Sequence, residues 1–268
     1  MSYYQHDYGD PTLHLPRILC LHGGGTNARI FHAQCRSIRA ALQNDFRLVF
    51  AEAAFSSSTG PDVLSVYKDW GPFKRWLRWL PDQPNPGPDE TINQLNQSLQ
   101  DAMVMDDMRG ATGEWVGLLG FSQGAKVSAS LLYRQQMQED GMYGRGNAST
   151  NFKFGVLLAG SAPLVCLDPD RQPDAYLPEA SQITDPKGPN RPTLRNSGRM
   201  LRIPTLHVHG TKDPGLDLHR QLFEDFCAPD SRRLVVWDGD HRLPIKTNDV
   251  GRVVHEIQEL AKSTMEYN

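Results

Sequence analysis

Val116-Gly117-Leu118-Leu119-Gly120-Phe121-Ser122-Gln123-Gly124-Ala125 is an apolar run that enters a G-x-S-x-G pattern and leads into a helical stretch carrying Ala129. A nucleophile on a sharp strand-to-helix turn needs glycines two residues to either side, because side chains there collide with the neighbouring strand and helix. The pattern therefore places Ser122 exposed at the carboxyl end of a strand. The helix that follows brings the positive end of its dipole close to any charge developing during acyl transfer.

Working outward, Ile18 to Leu21, Leu48 to Ala51, Val156 to Ala159, Thr205 to Val208 and Leu234 to Trp237 are further short apolar runs bounded by Gly, Pro or charged residues. Their hydrophobic positions are continuous instead of alternating, the pattern of a parallel sheet covered on both faces. Ile92, Leu95, Leu99, Ala102 and Met103 recur at helical spacing behind the capping candidates Asp89 and Thr91, as do Val250, Val253, Val254, Ile257, Leu260 and Ala261 near the end. Helices are also expected over Ala28 to Leu42, Gln123 to Gln138 and Leu216 to Phe226. This alternation predicts an α/β class, a doubly wound, mostly parallel sheet with helices on both faces, in one domain over 1–268.

Two stretches, 56–88 and 161–202, break the rhythm with many prolines and read as irregular insertions over the active site. The first holds Trp70, Phe73, Trp76 and Trp79. Their cost in water argues for order. Trp70, Phe73 and Trp76 are expected either to wall a substrate pocket or to form a satellite core under a long loop, and a helical reading turns Lys74, Arg75 and Arg78 outward as a basic face, either suited to an acidic carrier domain or simply solvated.

A serine hydroxyl needs a base, and the base needs an orienting carboxylate. His241, in Asp238-Gly239-Asp240-His241-Arg242, follows the last apolar run and has the right address for the base. His207 and His209 share a strand face, His219 and His255 fall on helices, and His6 and His14 lie in the N-terminal arm. Asp213, in Gly210-Thr211-Lys212-Asp213-Pro214, follows the run before at the carboxyl edge and is preferred to Asp217, Asp238 and Asp240. Upstream, His22-Gly23-Gly24-Gly25 reads as an oxyanion loop, with Gly24 and Gln123 as the N–H donors and His22 stiffening the loop by hydrogen bonds.

The chain has 268 residues, 22% of them charged, and a formal net charge of -3. Without a basic run, nucleic-acid binding is not expected. Cys20, Cys35, Cys166 and Cys227 are too scattered for a disulfide framework or a zinc ribbon, and no H-E-x-x-H occurs, so neither a metal nor a cofactor is predicted. Met1 to Asp10 lacks the basic start and apolar core of a secretion signal, and no apolar window is long enough to span a membrane. A cytoplasmic protein is expected.

Taken together, Leu21-His22-Gly23-Gly24-Gly25, Gly120-Phe121-Ser122-Gln123-Gly124-Ala125, Gly210-Thr211-Lys212-Asp213 and Gly239-Asp240-His241 resemble the fungal serine hydrolase family of the α/β-hydrolase fold. The resemblance spans about 16–261 and implies the same triad, Ser122, Asp213 and His241. It also implies an acyl ester or thioester substrate, since the family includes carboxylesterases and thioesterases that release polyketide chains from the acyl carrier domain of a synthase in fungal secondary metabolism. A ligand-binding protein that retains a hydrolase triad is the alternative from another class.

Overall fold

A computed structural model describes residues 10–60, 63–142, 150–168, 176–183 and 193–265. The N-terminal arm through residue 9 and parts of the second insertion, 169–175 and 184–192, lie outside the described residues.

Each apolar run forms a strand. In chain order the elements are β1 (Arg17–Leu21), α1 (Ala28–Gln34), α2 (Arg36–Leu42), β2 (Arg47–Ala51), β3 (Phe55–Ser56), α3 (Leu64–Tyr67), β4 (Lys74–Arg75), α4 (Pro88–Met108) and β5 (Trp115–Phe121). They continue with α5 (Gln123–Glu139), β6 (Phe154–Leu158), α6 (Leu194–Ser197), β7 (Thr205–Gly210), α7 (Leu216–Gln221), β8 (Arg232–Trp237) and α8 (Thr247–Met265). Six strands pair in parallel in the order β2-β1-β5-β6-β7-β8. The chain winds one way from β1 to β2 and the other way from β5 onward, which opens a crevice at the carboxyl edge between β1 and β5. That crevice receives the glycine loop from β1 and the Ser122 turn from β5.

Two hydrophobic clusters cover the sheet. One gathers Leu19, Leu21, Leu118 and Leu157 under Leu95 of α4 and the Val127, Leu131 and Leu132 face of α5. The other joins Ile18, Cys20, Val156 and Val208 to Phe31 of α1, Ile38 of α2 and Val253, Ile257 and Leu260 of α8. Burial on both faces explains why the strand runs are continuous instead of alternating.

Several local expectations change. Helix α4 begins ahead of both predicted caps, Asp89 and Thr91, with Gly87 as N-cap and Pro88 at the first helical position, where a missing N–H costs nothing. Thr91 instead donates its hydroxyl to Gly87 O at 2.7 Å. The stretch 28–42 divides at Cys35 into α1 and α2. The stretch 216–226 leaves α-helical geometry after Gln221 and closes as a single π turn over Leu222–Phe226. In the first insertion, 74–78 is not helical: β4 pairs antiparallel with β3, and Lys74 also bridges Thr26 of the glycine loop.

The glutamines of α5 were opaque in sequence. Gln135 takes the Phe152 N–H and donates to Phe152 O, Gln136 does the same for Arg202 N–H and Met200 O, and Arg134 reaches Leu167 O. Buried polar side chains thus satisfy the backbone of the irregular segments they cover.

Ile257 is fully buried against the sheet. Ile257→Ala should lower the unfolding free energy by about 2–5 kcal/mol, read as a shift in urea midpoint at unchanged slope.

Candidate active site

Ser122 follows β5 with φ 53° and ψ −114°, a left-handed conformation in a residue other than glycine. Its N–H donates to Leu158 O at 2.8 Å, and its carbonyl accepts from Ala125 N and Lys126 N, both at 3.1 Å. Strand and helix approach so closely here that a Cβ on Gly120 would strike Gly124 O, and a Cβ on Gly124 would strike Leu21 O. The glycines of the pattern are therefore steric requirements.

The loops after β7 and β8 bring two more residues to Ser122. The hydroxyl of Ser122 lies 2.9 Å from His241 Nε2, and His241 Nδ1 lies 2.7 Å from Asp213 Oδ2. These partners fix the tautomer: Nδ1–H donates to the carboxylate, leaving Nε2 to accept the serine proton. Gly215 N–H holds Asp213 Oδ1 at 2.8 Å. Burial works to raise the Asp213 pKa, but the hydrogen bond and charge of His241, with the Gly215 N–H and the neighbouring His219, outweigh it and hold the carboxyl below its ordinary value. Of the rival carboxylates, Asp238 pairs with Lys212 at 2.8 Å, and Asp240 lies 3.5 Å from Arg242.

In the glycine loop, Gly25 N–H is committed to Lys74 O at 2.9 Å, which leaves the Gly24 N–H as the candidate donor on this side. His22 is fully buried; its Nδ1 lies 2.8 Å from Gly23 O and its Nε2 accepts Ala53 N–H at 3.1 Å. The side chain of Gln123 clamps the first insertion: its Oε1 accepts from Trp76 N at 2.8 Å and Leu77 N at 3.1 Å, and its Nε2 donates to Leu77 O at 3.0 Å.

That clamp changes the reading of the aromatic residues. Trp76 is 1% exposed, with Nε1 donating to His22 O at 2.8 Å, so it locks the glycine loop instead of facing a ligand. Trp70 packs on Tyr67 and under the Arg29 guanidinium, and neither it nor Phe73 lines the cavity. Arg75 is 2% exposed, with its guanidinium over the Phe55 ring, so the outward basic face of Lys74, Arg75 and Arg78 does not form. A helical wheel was the wrong template for a strand and bends, and it inverted these side chains.

The cavity over Ser122 and His241 measures about 840 Å³. Val63, Tyr67, Leu77, Trp79, Trp237 and Leu243 supply apolar wall, and Arg36, Arg78, Lys126, Lys212, Arg242 and Lys246 supply positive charge. Val63, Tyr67, Leu77 and Trp79 come from the 56–88 insertion that the sequence singles out. Trp237 and Leu243 come from the end of β8 and the loop that follows it.

Behind Asp213 stands a file of buried histidines. His207, His209 and His219 are each at most 1% exposed, with ring centroids 5.9 and 5.6 Å apart, and His219 is 6.0 Å from His241. Burial holds His207 well below its ordinary pKa and His209 at about 4, the latter helped by charge at His219 and Arg220.

A family model described as serine hydrolase (FSH1) matches residues 12–253. The chain is 60% identical to esterase claE of Penicillium crustosum over 96% of both chains, and 60% identical to esterase citA of Monascus ruber over 95% of both. Among solved structures, esterase PE8 superposes at a TM-score of 0.50 with 15% identity, covering 92% of this chain and 93% of its own. A protein of unknown function from Agrobacterium tumefaciens superposes at 0.51 with 16% identity, covering 92% of each. These two likenesses establish the α/β-hydrolase fold.

Gly124→Ala should cost at least about 1–3 kcal/mol of stability, because backbone must move to admit the methyl group. The neutral histidines set a pH trend. An unfolded histidine takes up a proton near pH 6.5, whereas His209 does so only near 4. Stability contributed by His209 is therefore intact above pH 6.5 and falls between 6.5 and 4, by at most about 3 kcal/mol. Urea denaturation at pH 7.0 and 4.5 should show this loss, and His209→Leu should reduce it while His207 sustains the rest.

Proposed function

This chain belongs to the FSH1 serine hydrolase family, and from that membership we propose that it cleaves acyl esters or thioesters through Ser122, His241 and Asp213. The observation that carries the reading is the continuous hydrogen-bond chain from Ser122 Oγ to His241 Nε2 and from His241 Nδ1 to Asp213 Oδ2, at 2.9 and 2.7 Å. Ser122 Oγ attacks the acyl carbonyl as His241 Nε2 takes its proton, and Asp213 steadies the imidazolium without itself being protonated. The N–H groups of Gln123 and Gly24 receive the oxyanion of the tetrahedral intermediate. His241 then returns the proton to the departing thiol or alcohol. A water molecule, deprotonated by the same imidazole, releases the acyl group from Ser122.

Release of a polyketide or other acyl chain from an acyl carrier domain in fungal secondary metabolism is the physiological form we propose. The cavity volume suits a long acyl group, and the cations at its border suit the phosphate of a phosphopantetheine arm. General carboxylesterase activity is the second reading, favoured by the apolar wall and by the name esterase carried by the 60% identical relatives. A cytoplasmic location agrees with four buried cysteines that carry no disulfide. Among the described residues no helix is long and apolar enough to cross a membrane.

A fluorophosphonate probe should label Ser122. Ser122→Ala should abolish labelling and lower turnover by more than about 10⁴-fold, and Asp213→Asn should lower turnover by about 10⁴-fold with labelling slowed. Retained hydrolysis in Ser122→Ala would refute the nucleophile. Trp79→Ala should shift preference toward bulkier acyl groups in a panel of esters and thioesters. Lys212→Glu with Lys246→Glu should slow carrier-bound thioesters more than small ones; equal loss on both would favour the carboxylesterase reading.

A further inference from the structure

We propose that Asp213, His219 and His241 form a site for a borderline-soft divalent cation such as zinc, and that filling it silences the hydrolase. The silencing rests on the catalytic reading of Ser122 and His241; the binding does not. One donor atom from each of these three residues lies within 4.8 Å of the other two. A second observation points to a ligand. His219 is 1% exposed, its Nδ1 has no hydrogen-bond partner among the described residues, and that atom faces Asp213 Oδ2 at 3.9 Å.

The distances suit a tetrahedral ion. Bonds of about 2.0–2.1 Å put neighbouring ligand atoms about 3.3 Å apart. Asp213 Oδ2 now stands 2.7 Å from His241 Nδ1 and 3.9 Å from His219 Nδ1. The carboxylate must move away from His241 and toward His219, and the three donor atoms, already within 4.8 Å of one another, must draw together around the ion. Gly215 makes the approach possible: a Cβ there would sit 3.1 Å from His219 Nε2 and 3.2 Å from Asp213 Oδ1, against the two side chains that must come together. Of the three ligands, His241 lines the 840 Å³ cavity, so an ion from solvent would enter past its ring.

Two imidazoles and one carboxylate select zinc or copper over the hard, oxygen-seeking calcium and magnesium. The exchange is balanced: the metal takes the Nδ1 lone pair of the other neutral His241 tautomer, the ring proton moving from Nδ1 to Nε2. The His241–Asp213 hydrogen bond is lost, and Nε2, which now carries the ring proton, has no lone pair with which to take the proton of Ser122.

The test uses the intact protein and Zn²⁺ alone. Equilibrium dialysis should find one zinc per chain, and hydrolysis of a small aryl ester should fall in proportion to occupancy and return on chelation, while Mg²⁺ or Ca²⁺ at the same concentration has no effect. In His219→Phe zinc binding should weaken by more than about tenfold, and so should zinc inhibition measured relative to that variant's own metal-free turnover. If that variant does not fold, His219→Gln carries the same comparison. No zinc bound by the wild type, or equal binding and inhibition in wild type and variant, overturns the proposal; binding without inhibition overturns the silencing. Should the wild type hydrolyse no ester, dialysis still reads the metal site while the catalytic reading fails separately.

Discussion

The backbone at Ser122 is the constraint on which the molecule is arranged. A left-handed conformation at a residue bearing a Cβ costs about 1–2 kcal/mol and persists only where the surroundings over-determine it. Here they do. The Ser122 N–H is bonded to β6, its carbonyl is bonded into α5, and the helix crosses so close to β1 that Gly124 has no room for a methyl group. Releasing the strain would mean lifting α5 from the sheet and giving up one of the two hydrophobic clusters. The strained turn is thus held by the burial of a whole helix, and it holds the hydroxyl 2.9 Å from His241 Nε2.

From that turn the order spreads through polar side chains as much as through packing. Gln123 grips the backbone of residues 76 and 77, and Trp76 grips the glycine loop at His22 O, so the serine, the loop beside it and the first insertion move as one body. The same helix uses Gln135, Gln136 and Arg134 to tie down residues 152, 167, 200 and 202. Irregular chain near a cavity has no ladder to satisfy its N–H and C=O groups, and a glutamine that offers both a donor and an acceptor replaces it. Leu77 of the cavity wall is thus hydrogen-bonded to the helix that carries the turn.

Electrostatically, the site divides into two zones. The cavity border is rich in cations, some paired with Asp238 and Asp240, while the ground behind Asp213 is filled with imidazoles that burial keeps neutral. A carboxylate set in that neutral ground meets few competing charges, so the bond it offers His241 is strong and directed. His219 departs from this economy, because its Nδ1 faces the carboxylate without bonding to it.

All six sheet strands, the two long amphipathic helices and the residues Ser122, Asp213, His241 and His22 could be placed from sequence, because each is governed by a local rule. Strand identity follows from apolar runs between turn formers, and the turn follows from glycines that sterics demand within five residues. The helix boundary at Gly87, the break at Cys35 and the π turn after Gln221 were beyond such rules, since tertiary contacts decide where a helix stops. The insertion was beyond them for a stronger reason. Whether Trp76 points to a ligand or into the protein depends on a three-bond clamp from Gln123, 47 residues away, and no periodicity within 70–79 carries that information. What the sequence determined by itself was the chemistry available and the scaffold bearing it. Which aromatic side chains border the cavity, which arginine is buried, and that His219 stands against Asp213 were decided only by tertiary structure, where residues far apart in the chain compete for the same space and the same hydrogen bonds.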